Sequence, residues 1–490
     1  MNSLARMFVL CALCSSAVFS ATPPVNEESL SCLLAAQPFF HRGWDALANA
    51  HLDEARELFV QTVAVDPACV LAWAHLGALT PGVNGRRMVD DAVAGSAALT
   101  EVERLQVRAL AAQHRGDDEQ ALSLVRSALA VDPRSYMVSF AVAERSGALR
   151  QWGAMLAPAK HATELAPERG AAWNLLGYAY VGLAQHAQAA AAFRRYAQVA
   201  PFEPNAHDSL GDALLANDQL DEARAAYRHA LEISGDTFWA AGHGVATVCA
   251  LQGDWFCARA ALEKARRTAP SQEDRLTLMK WIAWSYLADD QAGEAYRALD
   301  EMEQDARRLG LEAHLADARL LRSRFLLAQG RAREALEKLI VLSTAKFSTL
   351  TDVQRRSYET RRLHGLLEAL VRVGNVREAE RTLAQLRAPL EARPRDLALI
   401  DAVAHGRGLI ALQKKDVTRA IVAFAECSAT ADACRLDLAR AQDAAGQREL
   451  AMKTRAELRG ANRRDPEYWW VRVRAAQALE KPRAENRPAF

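Results

Sequence analysis

The sequence predicts an all-α fold built as an array of antiparallel helix pairs. Three observations predict it. A pattern of small, aromatic and proline residues returns about every 34 positions, which is the mark of a repeat architecture. Hydrophobic residues make up 50% and aromatics 7%, with few Val/Ile/Thr runs, a balance that favours helix over sheet. A chain of 490 residues is also too long for one ordinary core, so it needs several domains or an elongated array.

Along the chain, residues 1–20 come first. Arg6 precedes the apolar run "MFVLCALCSSAVF", and small residues surround Ser20–Ala21. The run is too short to span a bilayer as a helix, so it reads as a secretory signal peptide. The expected destination is export, to a periplasm or beyond the cell. Residues 21–35 form a lead-in. Removing the leader leaves 60 basic and 60 acidic side chains, and zero net charge argues against nucleic acid as a partner. Residues 451–490 carry ten Lys/Arg against five Asp/Glu, a surplus expected on a solvated helix face.

The repeat is clearest in "GAAWNLLGYAYVGLAQHAQAAAAFRRYAQVAP", residues 170–201. Trp173, Leu176, Gly177, Tyr180, Ala189, Phe193 and Pro201 mark it. Two short helices joined by a tight turn can bury a stripe only against each other and their neighbours. Gly177 and Ala189 are small so that the helices approach closely. Trp173, Leu176, Tyr180 and Phe193 fill the wedge beside that crossing, and Pro201 stops the second helix. Gly116, Gly182 and Gly253 are expected at intra-pair turns, where a positive φ suits glycine. Aligned units begin near 36, 70, 102, 136, 170, 204, 239, 276, 316, 360, 401 and 432. The spacing is regular over 36–270 and looser over 271–465, with insertions expected mostly between units. Residues 466–480, including Trp469 and Trp470, predict a last helix covering the apolar end of the array, and 481–490 read as a frayed tail.

The pattern W-x2-L-G-x2-Y-x8-A-x3-F-x7-P resembles the tetratricopeptide repeat, over roughly 36–465. The resemblance implies a right-handed superhelix whose first helices line a concave groove, commonly a site for a peptide or a partner's helix. It places Asn174, Tyr178, Asp208, Asp212, His243, Lys280, Trp284 and Arg324 on the inward positions. The Lys/Asn clamp by which family members hold a C-terminal carboxylate is absent at Asn174, Asp208 and His243 and at Tyr178, Asp212 and Thr247. Asp208 and Asp212, one helical turn apart, favour a cationic segment. Lys280, Trp284 and Arg324 suit an acidic or aromatic stretch, and Trp284 is expected inward and exposed.

No catalytic signature is present: no H-E-x-x-H, G-x-S-x-G, G-x4-G-K-[ST] or C-x-x-C-H. Twelve histidines are scattered singly, so neither a metal nor a cofactor is expected. Six cysteines remain after the leader. Cys249 and Cys257 flank a turn symmetrically, Cys427 and Cys434 end one helix and begin the next, and Cys32 and Cys69 are left as a third pair. In an exported chain these are disulfide candidates; buried free thiols are the alternative. The expected function is a non-catalytic scaffold for a protein or peptide partner. The alternatives are a structural or assembly role in an envelope complex, with self-association, and presentation of a substrate to a separate enzyme.

Overall fold

The computed structural model describes residues 28, 30–80 and 82–480. The signal-peptide reading for 1–20 and the tail reading for 481–490 lie outside the described residues. Twenty-five α-helices and two short 3-10 turns make up the described secondary structure, with no strand among the described residues. The chain is an all-α solenoid of consecutive helix pairs, and it divides into two compact units at Val199/Ala200. That division lies inside the array that reads as regular up to residue 270.

The N-terminal unit holds five pairs: Gln37–Ala48 with Leu52–Val65, Val70–Ala78 with Gly82–Ala94, Glu101–His114 with Asp118–Val131, Tyr136–Ala148 with Trp152–Leu165, and Gly170–Gly182 with His186–Val199. The C-terminal unit opens with Pro204–Ala216 and Leu220–Ile233, then Trp239–Leu251 and Trp255–Thr268, and Gln272–Ala288 and Ala292–Arg308. It continues with Glu312–Ala328 and Ala332–Ser343, Asp352–Arg372 and Val376–Arg387, Leu397–Gln413 and Val417–Ala425, and Asp432–Ala444 and Arg448–Gly460. A single helix, Pro466–Glu480, ends it.

Close packing explains the small residues. A Cβ on Gly177 would lie 2.4 Å from the Phe193 ring, and one on Gly408 would lie 2.2 Å from Phe424. Phe193, Phe424 and Ala189 are fully buried. The repeat tryptophan also has a polar task that composition does not reveal. Trp73 Nε1 donates to the Pro67 carbonyl at 3.0 Å, and Trp173 Nε1 to the Pro167 carbonyl at 2.8 Å. Each ties the start of one pair to the end of the pair before it.

Each pair turns through one residue with positive φ, among them Gly116 and Gly253. Gly182 does not do so. Ala184 takes the left-handed position, φ 56°, while Gly182 ends its helix and has no room for a Cβ, which would strike Trp152 at 2.2 Å. A second difference concerns the insertions. First helices in the N-terminal unit run 9–14 residues, whereas Gln272–Ala288, Glu312–Ala328, Asp352–Arg372 and Leu397–Gln413 run 17, 17, 21 and 17. The added residues lengthen helices more than they lengthen linkers.

The last helix makes more contacts than those with the end of the array. Pro466–Glu480 packs on Arg448–Gly460, and it also turns back against Gln272–Ala288 and Asp432–Ala444. Tyr468, Trp469 and Val471 are buried, with the Trp469 ring 5.0 Å from that of Trp281. The lead-in is fixed in an analogous way within the N-terminal unit. Glu28 accepts from Ser135 Oγ at 2.7 Å and Met137 N at 2.9 Å, and Leu33 N donates to Asp66 at 2.7 Å. The cysteines stand at disulfide distance as Cys32–Cys69, Cys249–Cys257 and Cys427–Cys434, with Cα separations of 4.8, 5.7 and 6.5 Å.

Candidate functional site

In the C-terminal unit the first helices of successive pairs share one face, and the chain's own residues 462–474 lie against it. Arg464 is the centre of this contact. Its Nη1 donates to Asp212 Oδ1 at 2.7 Å and to Asp208 Oδ2 at 3.3 Å, its Nε to His243 Nδ1 at 3.3 Å, and its Nη2 to the Ala240 carbonyl. The guanidinium also sits 5.3 Å from the Tyr227 ring centre, and the Tyr227 hydroxyl donates to Asp212 at 2.6 Å. Three sequence-predicted residues therefore meet, and their cation is supplied by the same chain.

The electrostatics follow from burial. Removal from water pushes the Asp208 carboxyl up to about 6, aided by neighbouring Asp212 and opposed by Arg464. Burial drives His243 well below its ordinary value, and the Arg464 charge adds to that. The neutral ring accepts from Arg464 through Nδ1. Its buried Nε2 has no conventional partner among the described residues, and the ring is near-perpendicular to that of Trp281. Neighbouring arginines follow suit: Arg463 pairs with Asp432, Arg474 with Asp290, and Arg472 donates to the Leu251 carbonyl.

Farther along the same face the helices enclose a cavity of about 550 Å³. Lys280, Trp284 and Arg324 line it. Trp284 is not the exposed aromatic the sequence suggests; it is 3% exposed and lies edge-on to Phe325 with ring centres 4.7 Å apart. Arg324 bridges Glu368 at 2.7 Å and Glu467 at 2.7 Å. Burial disfavours the Glu368 charge, but Arg324 and Arg372 outweigh it and hold the carboxyl down to about 2. Asp317 faces Arg361 at 2.7 Å and Lys280 at 4.0 Å.

A relay of three side chains also reaches this cavity. His364 Nε2 is 2.8 Å from His405 Nδ1, and His405 Nε2 is 2.9 Å from Asp437 Oδ2. Burial opposes the Asp437 charge, yet the hydrogen bond from His405 and the charge of Arg440 hold its carboxyl well below the usual range. Burial and the neighbouring His405 push His364 down to about 3. Sequence reasoning missed this relay, because its members are 41 and 32 residues apart and no local spacing marks them. It also missed Arg464, whose only visible trace was the basic surplus of residues 451–490.

Asn174 and Tyr178 belong to the N-terminal unit, on Gly170–Gly182. Tyr178 is partly exposed and sits edge-on to Phe193. No group of three or more His, Cys, Asp or Glu among the described residues is placed to hold a metal ion. No described helix is long and apolar enough to cross a membrane.

A tetratricopeptide repeat family model matches residues 170–202 and 204–237. No curated protein matches the chain. Among solved structures it is similar to TTC0263, a thermophilic tetratricopeptide repeat protein of Thermus thermophilus, at 20% identity over 38% of this chain and 99% of that one, TM-score 0.32. It is similar to PilW, a type IV pilus biogenesis factor, at 21% identity over 41% and 92%, TM-score 0.36. A further likeness is to YrrB, described as having an unusual peptide-binding site, at 16% identity over 45% and 96%, TM-score 0.29. Two consecutive repeats match the family model and the described helices pack as twelve successive pairs followed by one more helix; residues 170–202 and 204–237 are tetratricopeptide repeats.

Proposed function

We propose that this protein is an exported, non-catalytic scaffold that holds a segment of a partner protein on the first-helix face of its C-terminal unit. The observation that carries this reading is the cavity of about 550 Å³ on that face. Pockets of this size, part aromatic and part polar, suit a few side chains of a ligand. The carboxylates at Asp208 and Asp212 serve a different purpose, since Arg464 occupies them. Partner binding therefore falls to the section lined by Lys280, Trp284 and Arg324. Export, with the periplasm as the first choice of compartment, is supported by the leader-like residues 1–20 and by three cysteine pairs at disulfide distance.

The test is crosslinking in the native cell envelope followed by capture and mass spectrometry, comparing wild type with Thr430→Trp. Thr430 is an exposed residue on the cavity wall, so a bulky ring there fills the opening without entering the core. Loss of one captured protein in the variant, at unchanged thermal midpoint, is the expected result. Identical captures would sink the reading.

A further inference from the structure

We infer that the cavity of the C-terminal unit is a receptor for an arginine side chain carried by a partner segment. This rests on the reading of the cavity as the partner-binding surface, and it reverses the charge that Lys280 and Arg324 suggest in isolation.

The first observation is the charge of the wall. Six carboxylates line the cavity against three fixed cations, Lys280, Arg324 and Arg361. Arg463 and Arg372 approach from outside and answer Asp432 and Glu368. Asp401 and Asp465 have no ion-pair partner among the described residues. Asp401 accepts from Ser428 N at 2.6 Å and Ser428 Oγ at 2.7 Å, and Asp465 caps its helix by accepting from Tyr468 N at 3.0 Å. Each carboxylate thus keeps acceptor capacity and has no cation paired with it.

The second observation is the relay, which fixes the sense of the hydrogen bonds. Ionised Asp437 only accepts, so His405 carries a proton on Nε2, and in its neutral tautomer it leaves Nδ1 to accept. In that tautomer His364 donates through Nε2, and its own Nδ1 is left as an acceptor. No described residue donates to that nitrogen, and His364 lines the cavity. A wall that presents carboxylates without a paired cation, with a histidine among them, calls for a ligand rich in N–H donors. Trp281 and Trp284 are also on the wall, where they are more than nine-tenths buried and back it with aromatic edges.

The third observation is a worked precedent in the same unit. Arg464 is held by Asp208 and Asp212, a neutral histidine acceptor at His243, the Tyr227 ring and a backbone carbonyl. The cavity offers the same set one stretch farther along: carboxylates, a histidine acceptor and aromatic rings.

The experiment is calorimetric titration of the purified full-length mature protein with acetyl-Gly-Arg-Gly-amide. Matched tripeptides carry lysine, citrulline or glutamate in place of the arginine. The arginine peptide is expected to bind best, with citrulline, the neutral isostere, about tenfold weaker. Asp401→Asn and Asp465→Asn keep the backbone caps and remove only charge, and each is expected to weaken arginine binding several-fold. His364→Phe removes the acceptor and should do the same. The imidazole nitrogen resonances of His364 should shift with arginine and not with citrulline.

Tighter binding of the glutamate peptide would overturn the inference and leave the cavity as a binding site of opposite preference. No binding by any peptide, with a partner still lost from capture in Thr430→Trp, would also overturn it while sparing the proposed function. No binding together with unchanged capture would defeat both.

Discussion

Arg464 and Asp212 are 252 residues apart in the chain and 2.7 Å apart in the fold. The contact joins the segment before the last helix to the first helix of the C-terminal unit, and buried Asp208 completes a part-buried triad with them.

Removing the cation from such a triad leaves the buried Asp208 carboxylate beside that of Asp212 with no counter-charge. Arg464→Ala should destabilise the C-terminal unit by about 3–5 kcal/mol, the usual cost of stranding a buried charge. Arg464→Lys should recover part of that loss, since it keeps the charge without the fork. Urea unfolding followed by tryptophan fluorescence checks both, and an alanine variant as stable as wild type would refute the contact.

The crossing at Gly177 has no room for a methyl group. Gly177→Ala should cost about 1–3 kcal/mol by overpacking, because the obstacle is the Phe193 ring and not the end of a flexible chain. Combining it with Phe193→Leu should cost less than the sum of the two single changes. Additive losses would show that the ring is not what the methyl meets.

The N-terminal unit should weaken in mild acid. His75 is buried between Phe59 and Phe40, with Nδ1 unpartnered among the described residues; burial, then the Arg145 charge, push it down to about 3 from an ordinary 6.5. Between those values the unfolded chain binds a proton that the folded chain refuses, so stability falls as pH drops below about 6.5, by about 1 kcal/mol at pH 5.5. Hydrogen exchange of the helix Val70–Ala78 at pH 7 and pH 5.5 measures it, after correction for intrinsic rates. His75→Phe keeps a ring against Phe59 and should flatten the dependence.

The three cysteine pairs should contribute unequally. Cys32–Cys69 closes 37 residues, against 8 and 7 for the other two. On the chain-entropy estimate that is about 4 kcal/mol against about 2.5 kcal/mol. Thiol titration of the denatured, unreduced mature protein should find no free cysteine. Cys32→Ser/Cys69→Ser should lower the stability of its unit more than Cys427→Ser/Cys434→Ser lowers that of the other.

The repeat register was legible because Gly177, Ala189 and Phe193 encode a local crossing, and local crossings leave a local pattern. First helices begin at the expected positions through Trp239. Later ones begin up to eight residues early, since a stretch such as "VQRRSYET" reads equally well as linker or helix until its neighbours are known. The candidate site was half legible. Asp208 and Asp212 announced a cation through their spacing on one helix face. The partner Arg464 and the His364–His405–Asp437 relay depend on tertiary return and on contacts between separate repeats, which no window of the sequence contains.

Arrays of repeats are ordinarily open-ended: each unit leans on the one before, and the end can be shortened pair by pair. The return of residues 462–474 to Asp208, Asp218, Ala240 and Leu251 removes that freedom from the C-terminal unit. During synthesis its first pair emerges more than two hundred residues ahead of the arginine that neutralises it. The acidic pair at the start of the unit therefore stays unanswered until residue 464 has been made. A chain cut before residue 464 keeps Asp208 and Asp212 without the cation that answers them.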